Sequence, residues 1–194
     1  FGLSETAIHY IGGILKHAPA MSMIVAPLVN SYKRLVPHYE APVYVSWGYA
    51  NRSALVRVPL APGDKNSVTR VEYRHPDPSA NPYLVAAALL KAGWDGIDNK
   101  IQPSDPLTEN IYELTPKEME EKEVGYMPEH LGDAVDTFAG DKNMKDALGS
   151  FLYDNLIKLK RDEFQSYMDF TGVDWATSRP KITSWEYERY LTRC

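Results

Sequence analysis

Positively charged side chains are concentrated in one short segment of the first half of the chain. Residues 30–75 hold seven lysines and arginines but three acids, although the 194-residue chain as a whole has a formal charge of −5. Most of these cations are arginines, whose planar guanidinium group binds carboxylate or phosphate in a bidentate way and stays protonated. The five arginines, Arg34, Arg52, Arg57, Arg70 and Arg74, are therefore predicted to form a site for a polyanionic ligand. Lys33 and Lys65 complete the basic segment, and Lys33 is expected to support the loop rather than to contact substrate.

The most regular part of this pattern lies in the strand-like run 68–74. Side chains of a strand alternate between its faces, so Arg70, Glu72 and Arg74 share one face with Val68. A carboxylate between two arginines could hold a divalent ion that bridges phosphates, since Mg²⁺ usually takes one or two carboxylates plus phosphate oxygens. The alternative is a solvated strand face with local ion pairs, because exposed charge on strands is common.

Several other chemistries are excluded by composition. The chain has no glycine-rich phosphate loop, and its single cysteine, Cys194, rules out a disulfide framework or a metal finger. The acidic balance argues against a nucleic-acid or membrane partner, and no apolar run approaches the ~20 residues that span a bilayer. We interpret His9, His17 and His130 as surface or helix-face residues rather than ligands.

The elements that must position the basic side chains can be outlined from periodicity and capping. A helix is predicted over residues 5–18, capped by Ser4 and stopped by Pro19. A loop bracketed by two prolines follows near residues 37–42. Three strands are then predicted within residues 43–47, 53–60 and 68–74.

The second half of the chain is predicted to be mainly helical. Asn81 and Pro82 suit the start of a buried apolar helix, and Gly93 suits its end. Short helices are expected near 116–122 and 130–138. They precede an amphipathic helical region, residues 142–169, and a helical tail. The apolar side of that region is predicted to carry Leu148, Phe151, Leu152, Leu156 and Leu159.

Six motifs follow one another along the first part of the chain: GLSETAIHYIGGILKHA (2–18), NSYKRLVPHYEAP (30–42), NRSALVRVP (51–59), RVEYRHPDPSANPYL (70–84), KAGWDGIDNKI (91–101) and NIYELTP (110–116). In this order they resemble the glutamine synthetase family, type I of bacteria and archaea. The resemblance is strong over about residues 2–116 and weaker beyond.

The resemblance implies an α+β fold, a curved antiparallel sheet with flanking helices and a C-terminal helical region. Residues 1–116 would be the C-terminal part of the catalytic domain, and residues 117–194 the helical end of that domain with an inter-subunit tail. The implied reaction is the ATP-dependent ligation of glutamate and ammonium through γ-glutamyl phosphate, with two or more Mg²⁺ or Mn²⁺ ions. The family's upstream metal ligands lie outside residues 1–194, so this piece alone is expected to be inactive.

The resemblance assigns roles within the loop and the first arginine-bearing strand. Arg34 is implied to bind the glutamate carboxylate. Glu40 is implied to lie on a flap over glutamate, where it binds ammonium and accepts a proton. Arg52 and Arg57 are implied to act at the transferring phosphate, because fixed positive charge stabilises a transition state that gains negative charge. Arg52 is also implied to contact substrate, and Arg57 to contact the nucleotide.

Further roles are implied for the 68–74 strand and its turn. Arg70 is expected near the ATP phosphates, and Lys65 is a candidate nucleotide-binding lysine in a turn that is longer than in the bacterial enzymes. Glu72 matches the position of a metal ligand. Arg74 is implied to contact the glutamate substrate or the phosphoryl group.

His38 departs from the family's pattern, and Tyr112 matches a position that some members of the family modify. His38 stands where the family usually has glycine, which puts a side chain where a positive φ or a close approach is needed. Tyr112 matches the tyrosine that some bacterial enzymes adenylylate, so it is a candidate modification site. The residues after it fit that pattern imperfectly, and an unmodified loop tyrosine is favoured.

The resemblance also implies a cytoplasmic homo-oligomer of stacked rings, usually a dodecamer, and leaves a regulatory protein partner open. Two alternatives remain for function. One is a related γ-glutamyl–amine ligase that uses another amine. The other is a catalytically silent homologue that serves as a structural or regulatory subunit.

Overall fold

The computed structural model describes residues 2–39, 41–60 and 69–191. It combines α-helices with two small sheets, which agrees with the predicted α+β class. Helices form the larger part, and the arginine-rich segment runs from the helix Val29–Arg34 through the short strands up to Glu72–Tyr73. Among the described residues, no helix is both long and apolar enough to cross a membrane.

The first helix, α1 (Glu5–Val25), is longer than predicted. Ser4 caps it as expected, its hydroxyl accepting a hydrogen bond from the Ala7 N–H at 3.2 Å. The prediction that Pro19 ends the helix is wrong, because the helix continues through it to Val25. An interior proline costs about 3 kcal/mol. Burial of Met21, Met23 and Ile24 in the following turn outweighs that cost at about 1.5–3 kcal/mol for each side chain.

The second long helix, α3 (Pro82–Asp98), comes after the short helix α2 (Val29–Arg34) in the chain. Asn81 caps α3 through its side-chain oxygen, which accepts from Tyr83 N–H at 3.0 Å. The predicted stop at Gly93 is wrong. A Cβ at Gly93 would overlap the ring of Tyr10, so this glycine permits close packing against α1 rather than termination.

The prediction that α3 is buried is correct for one of its faces. Ala88, Ala92 and Gly96 are buried against α1, whereas Leu90 and Trp94 are 63% and 62% exposed. The helix is therefore apolar on a side that the described residues leave uncovered.

Within the described ranges, five short strands form two sheets. Strand β1 (Tyr44–Val45) pairs antiparallel with β5 (Gly125–Tyr126). The other sheet has the order β2 (Trp47–Tyr49), β3 (Val56–Val58), β4 (Glu72–Tyr73), with β2–β3 parallel and β3–β4 antiparallel. The resemblance implied an antiparallel sheet, and the β2–β3 pair differs from it.

The single strand predicted over residues 43–47 is divided between these two sheets. Its first part pairs with β5, while the Ser46 carbonyl accepts from the Val56 N–H at 3.1 Å and begins the second sheet. Trp47 adds a further partner, because its carbonyl accepts from the Leu107 N–H at 2.8 Å. Alternation alone predicts a strand but does not identify the strand with which each residue pairs.

The C-terminal half is helical as predicted. A 3₁₀ turn (Ile111–Glu113) and α4 (Pro116–Glu121) precede β5. They are followed by α5 (Leu131–Gly140), α6 (Lys142–Thr171), α7 (Trp175–Ser178) and α8 (Ser184–Tyr190).

Helix α6 is interrupted at Gly149, whose φ of 73° and ψ of 154° are not helical. The predicted apolar side is therefore broken: Leu148 and Leu156 pack on the core, but Phe151 is 83% exposed. The main core is formed where α1 packs on α3, α5 and α6.

Candidate functional site

The centre of the candidate site is formed by Arg57, Glu72 and Arg74. Arg57 on β3 stands opposite Glu72 on β4 in the antiparallel register, so their side chains emerge on the same face. The Arg57 Nη1 lies 3.3 Å from Glu72 Oε2, and the Arg74 Nε lies 3.3 Å from Glu72 Oε1. One carboxylate thus holds two guanidinium groups side by side, and Glu72 and Arg74 share a face as the alternation predicted.

Arg74 also fixes the loop that carries Arg52. Its guanidinium donates to the carbonyl of Arg52 and, at 3.3 Å, to that of Ala54. The side chain of Arg52 is exposed. Arg74 therefore positions a neighbouring cation through the backbone, in addition to any contact that it makes with a ligand.

The Arg52 loop is held from beneath by a buried amide that the sequence analysis missed. Asn51 Nδ2 donates to the carbonyls of Leu107 and Glu109, both at 2.9 Å, while its Oδ1 accepts from the Ser53 N–H at 2.9 Å and from the Ser53 hydroxyl at 2.7 Å. The amide thus uses both of its ends. The N-R-S order around Arg52 was the available signal, since Asn and Ser side chains bond to nearby backbone in turns.

Arg34 reaches the end of strand β4 from helix α2. Its Nη2 donates to the carbonyl of His75 at 3.0 Å, and His75 directly follows Arg74. The His75 ring is fully buried, and its Nε2 is hydrogen-bonded to the Ser22 hydroxyl at 2.9 Å. Burial lowers the pKa of His75 to about 4, so the ring is neutral at physiological pH and adds no charge behind the arginines.

The neighbouring Lys33 is separate from this cluster. Its Nζ lies 2.7 Å from Glu186 Oε1, and both side chains are almost completely buried. A buried and paired lysine supports α2 against the C-terminal helix α8 rather than meeting a ligand.

Residues 35–39 and Ala41, here called the flap loop, border the arginines. His38 has a φ of 68°, the left-handed conformation that the sequence analysis identified as unfavourable for a histidine at this position. Its ring lies 5.2 Å from the ring of Tyr112. The Tyr112 hydroxyl lies 3.2 Å from the carbonyl oxygens of both Tyr39 and Ala41.

Two clefts open beside the flap loop. One, of about 600 Å³, is lined by residues that include His38, Arg52 and Tyr112. The other, of about 870 Å³, is lined by residues that include Arg34 and Arg179. Both have a guanidinium group at their wall, which suits anionic ligands.

The structure describes one of the three remaining predicted site residues. Arg70 is exposed just before β4. Glu40 and Lys65 lie outside the described residues.

A metal ion would find one carboxylate at this cluster, that of Glu72. The described residues contain no group of three or more His, Cys, Asp or Glu side chains that could hold a metal ion. Both oxygens of Glu72 face guanidinium groups, and its side chain is 42% exposed. Within the part of the chain that the structure describes, this donor set suits phosphate binding, and it would offer an ion one ligand, Glu72, rather than a complete metal site.

The fold and the site define a class: an α+β domain in which two guanidinium groups are arranged around one carboxylate. Residues 1–190 match the family described as the catalytic domain of glutamine synthetase. This match covers nearly the whole chain.

Individual relatives agree with the family match. The glutamine synthetase of Pyrococcus horikoshii is 52% identical, covering 98% of this chain and 42% of its own length. That of Thermotoga maritima is 46% identical, covering 98% and 40%. A solved structure of a GmaS/ADP complex superposes with a TM-score of 0.74 at 33% identity, covering 98% of this chain and 40% of its own. The chain belongs to the glutamine synthetase catalytic-domain family, and it spans about two fifths of the length of these relatives.

Proposed function

We propose that the polypeptide containing these residues is a glutamine synthetase that joins glutamate and ammonium at the expense of ATP. A γ-carboxylate oxygen of glutamate attacks the γ-phosphorus of ATP, and ADP leaves. Ammonia then attacks the acyl carbon of γ-glutamyl phosphate, inorganic phosphate leaves, and a base takes the excess proton. The observation that carries this proposal is the Arg57–Glu72–Arg74 cluster, together with Arg34, whose guanidinium group reaches the end of strand β4.

The arginines suit the charges that change during this reaction. Arg57 and Arg52 are proposed to stabilise the phosphoryl group in transfer, because fixed positive charge is most effective when it needs no reorganisation. Arg34 and Arg74 are proposed to bind glutamate. A guanidinium group held by a backbone carbonyl, as Arg34 is by His75, keeps its other N–H groups for a substrate carboxylate.

Nucleotide binding is proposed for Arg57, Arg70 and Lys65. A family relative whose solved structure is a complex with ADP supports this part of the proposal. Glu40 is proposed to bind ammonium and to accept its proton, since a carboxylate attracts a cation and acts as a base when water is excluded.

Glu72 is proposed as one ligand of a Mg²⁺ or Mn²⁺ ion. Such an ion supplies charge neutralisation at the phosphates when it is bound. Its other ligands would come from parts of the polypeptide beyond residues 1–194. We therefore expect this piece on its own to be inactive.

Assembly and location follow the same proposal. We propose a cytoplasmic homo-oligomer of stacked rings, a dodecamer, in which helix α8 and the tail after it meet a neighbouring subunit. Tyr187 and Leu191 are 56% and 65% exposed, which supports an apolar contact there. We propose that Tyr112 is unmodified, because its hydroxyl already bonds to backbone.

Full-length enzyme assays test the function. We expect formation of γ-glutamyl hydroxamate from glutamate, ATP and hydroxylamine with Mg²⁺, and formation of glutamine with ammonium. A preference for putrescine over ammonium would instead indicate the related γ-glutamyl–amine ligase. Absence of turnover, together with no binding of ATP or methionine sulfoximine phosphate, would indicate the catalytically silent homologue.

A further inference from the structure

The Tyr112 side chain links two segments that are distant in sequence but adjacent at the candidate site. Its hydroxyl lies 3.2 Å from the carbonyl oxygen of Tyr39 and 3.2 Å from that of Ala41. These two residues stand on either side of position 40. A single phenol proton is thus shared between the carbonyls that flank the proposed ammonium-binding residue.

Tyr112 is itself held firmly at its backbone. It lies in the 3₁₀ turn Ile111–Glu113, whose first residue is fully buried. The Asn110 Oδ1 accepts from the Tyr112 N–H at 3.2 Å, and the Ser53 hydroxyl accepts from the Ile111 N–H at 3.1 Å. Because Ser53 belongs to the network around Asn51, the phenol is fixed to the same scaffold that holds Arg52.

The ring of Tyr112 is also packed between two aromatic side chains. Its centroid lies 5.8 Å from that of Tyr44 on β1 and 5.2 Å from that of His38 on the flap loop. His38 is in the left-handed region at φ 68°, a conformation that persists only when the surroundings hold it. The ring and the hydroxyl of Tyr112 therefore act on the same loop at two places.

The phenol is suited to be a lasting donor. Burial, together with the neighbouring Tyr44, raises the pKa of Tyr112 even though Arg74 acts in the opposite direction. The hydroxyl consequently keeps its proton across the physiological pH range and remains able to donate to the flap loop.

We propose that Tyr112 is a positioning residue for the glutamine-forming reaction: its hydroxyl holds the carbonyls of Tyr39 and Ala41, and so fixes the flap loop that in sequence carries the proposed ammonium-binding residue, Glu40. This proposal rests on the function proposed above. Tyr112 touches no reacting atom in it. It acts through the carbonyls of Tyr39 and Ala41.

The test compares Tyr112→Phe with a matched control in the full-length enzyme. Tyr112→Phe removes one oxygen and leaves the ring contacts with His38 and Tyr44 in place. Tyr126→Phe is the control, because the Tyr126 ring also packs on Tyr44, at 5.5 Å, while its hydroxyl lies near Met119 Sδ.

We expect Tyr112→Phe to raise the KM for ammonium about tenfold, the effect of losing one hydrogen bond, while the KM for ATP changes less than about twofold. Amide exchange in a peptide covering residues 35–42 should become faster. Tyr126→Phe should change neither, and both variants should retain the wild-type melting temperature.

Two results would overturn the proposal. The first is an unchanged KM for ammonium in Tyr112→Phe, and the second is an equal rise in the KM values for ammonium and ATP. A wild-type enzyme that forms no glutamine would contradict the proposed function instead. Amide exchange tests the positioning role even if the enzyme forms no glutamine. If exchange in residues 35–42 were the same in Tyr112→Phe as in the wild type, Tyr112 would not hold the flap loop.

Discussion

The carboxylate of Glu72 and the guanidinium of Arg57 meet across the β3–β4 pair, 3.3 Å apart and directly opposite in register. The same carboxylate faces the Arg74 Nε from its other oxygen at 3.3 Å. Two like charges are thereby kept close together by one opposite charge. This spacing is what a site for a multiply charged phosphate requires, since the positive charge must be in place before the ligand arrives.

Glu72→Gln tests the role of this carboxylate. The amide keeps the shape of the side chain but removes the charge that faces Arg57 and Arg74 and that is proposed to ligate a metal ion. In the full-length enzyme we expect kcat/KM to fall about 100-fold and Mn²⁺ affinity to fall about 10–100-fold. Steady-state kinetics and metal titration measure both.

A matched control for Glu72→Gln is Glu109→Gln, which neutralises another paired carboxylate. The Glu109 carboxylate lies 2.7 Å from the Lys122 Nζ, and its hydrogen bond to Lys122 lowers the pKa of Glu109 to about 2. Exposed pairs of this kind contribute little to stability, so turnover should be unchanged. Equal losses of turnover in the two variants would contradict a special role for Glu72.

Arg74→Lys tests the second function that the structure gives this arginine. An ammonium group cannot face Glu72 and also reach the carbonyls of Arg52 and Ala54 in the forked geometry of a guanidinium group. We expect about a 10–100-fold loss of kcat/KM and faster amide exchange in residues 51–55. Arg161→Lys changes an exposed ion pair with Asp136 and should leave both quantities unchanged. Exchange unaltered by Arg74→Lys would count against the backbone role.

The clustering of basic side chains was predictable from the sequence because it depends on local alternation. Charged and uncharged side chains alternate along residues 70–74. In extended backbone, Glu72 and Arg74 therefore lie on one face whichever strand pairs with them. Arg57 could be added only through the β3–β4 register, which pairs residues 15 positions apart. Periodicity carries no information about such pairing.

Packing between helices explains the two helix boundaries that were predicted wrongly. Pro19 and Gly93 are local stop signals, and both lie inside helices in the structure. The reason is tertiary. Gly93 lies where α3 packs closely on Tyr10 of α1, and the turn after Pro19 is buried in the core, so packing outweighs the local preference at both positions. Asn51 was missed for a related reason, since its partners Leu107 and Glu109 are distant in sequence.

Gly13→Ala tests the close approach of α1 and α3. A Cβ at Gly13 would overlap the Ala92 carbonyl oxygen and lie 2.7 Å from the Gly96 nitrogen, both of which are backbone atoms that cannot rotate away. We expect the free energy of unfolding to fall by about 1–3 kcal/mol. Chemical denaturation of the full-length protein measures it.

Gly140→Ala provides the opposite case at the end of α5. A Cβ there meets nothing within 4 Å, so the substitution should cause no clash. It should be neutral or should stabilise the protein by up to about 1 kcal/mol, because alanine lowers the conformational entropy of the unfolded chain. If Gly13→Ala proved as harmless as Gly140→Ala, the helices would not be packed as closely as the structure indicates.

His17, which was expected to be a surface or helix-face residue, is a buried residue of α1 that links three helices through two carboxylates. Its ring is buried, with Nδ1 2.6 Å from Asp141 Oδ2 and Nε2 3.0 Å from Asp95 Oδ2. Burial alone would lower the pKa of His17, but the hydrogen bonds and charges of Asp141 and Asp95 outweigh it, and the pKa is raised above 6.5. Asp95 also pairs with Lys16 at 2.8 Å.

The sign of the resulting pH dependence follows from that shift. Because the folded state holds the proton more tightly than the unfolded chain, the stabilisation is fully present below pH ~6.5 and is lost as pH rises through the raised pKa. The full-length protein should therefore unfold at lower denaturant concentration at pH 9 than at pH 6. His17→Gln should reduce this difference, whereas a variant of the partly exposed His130 should retain it. An undiminished difference in His17→Gln would assign the pH dependence to another group.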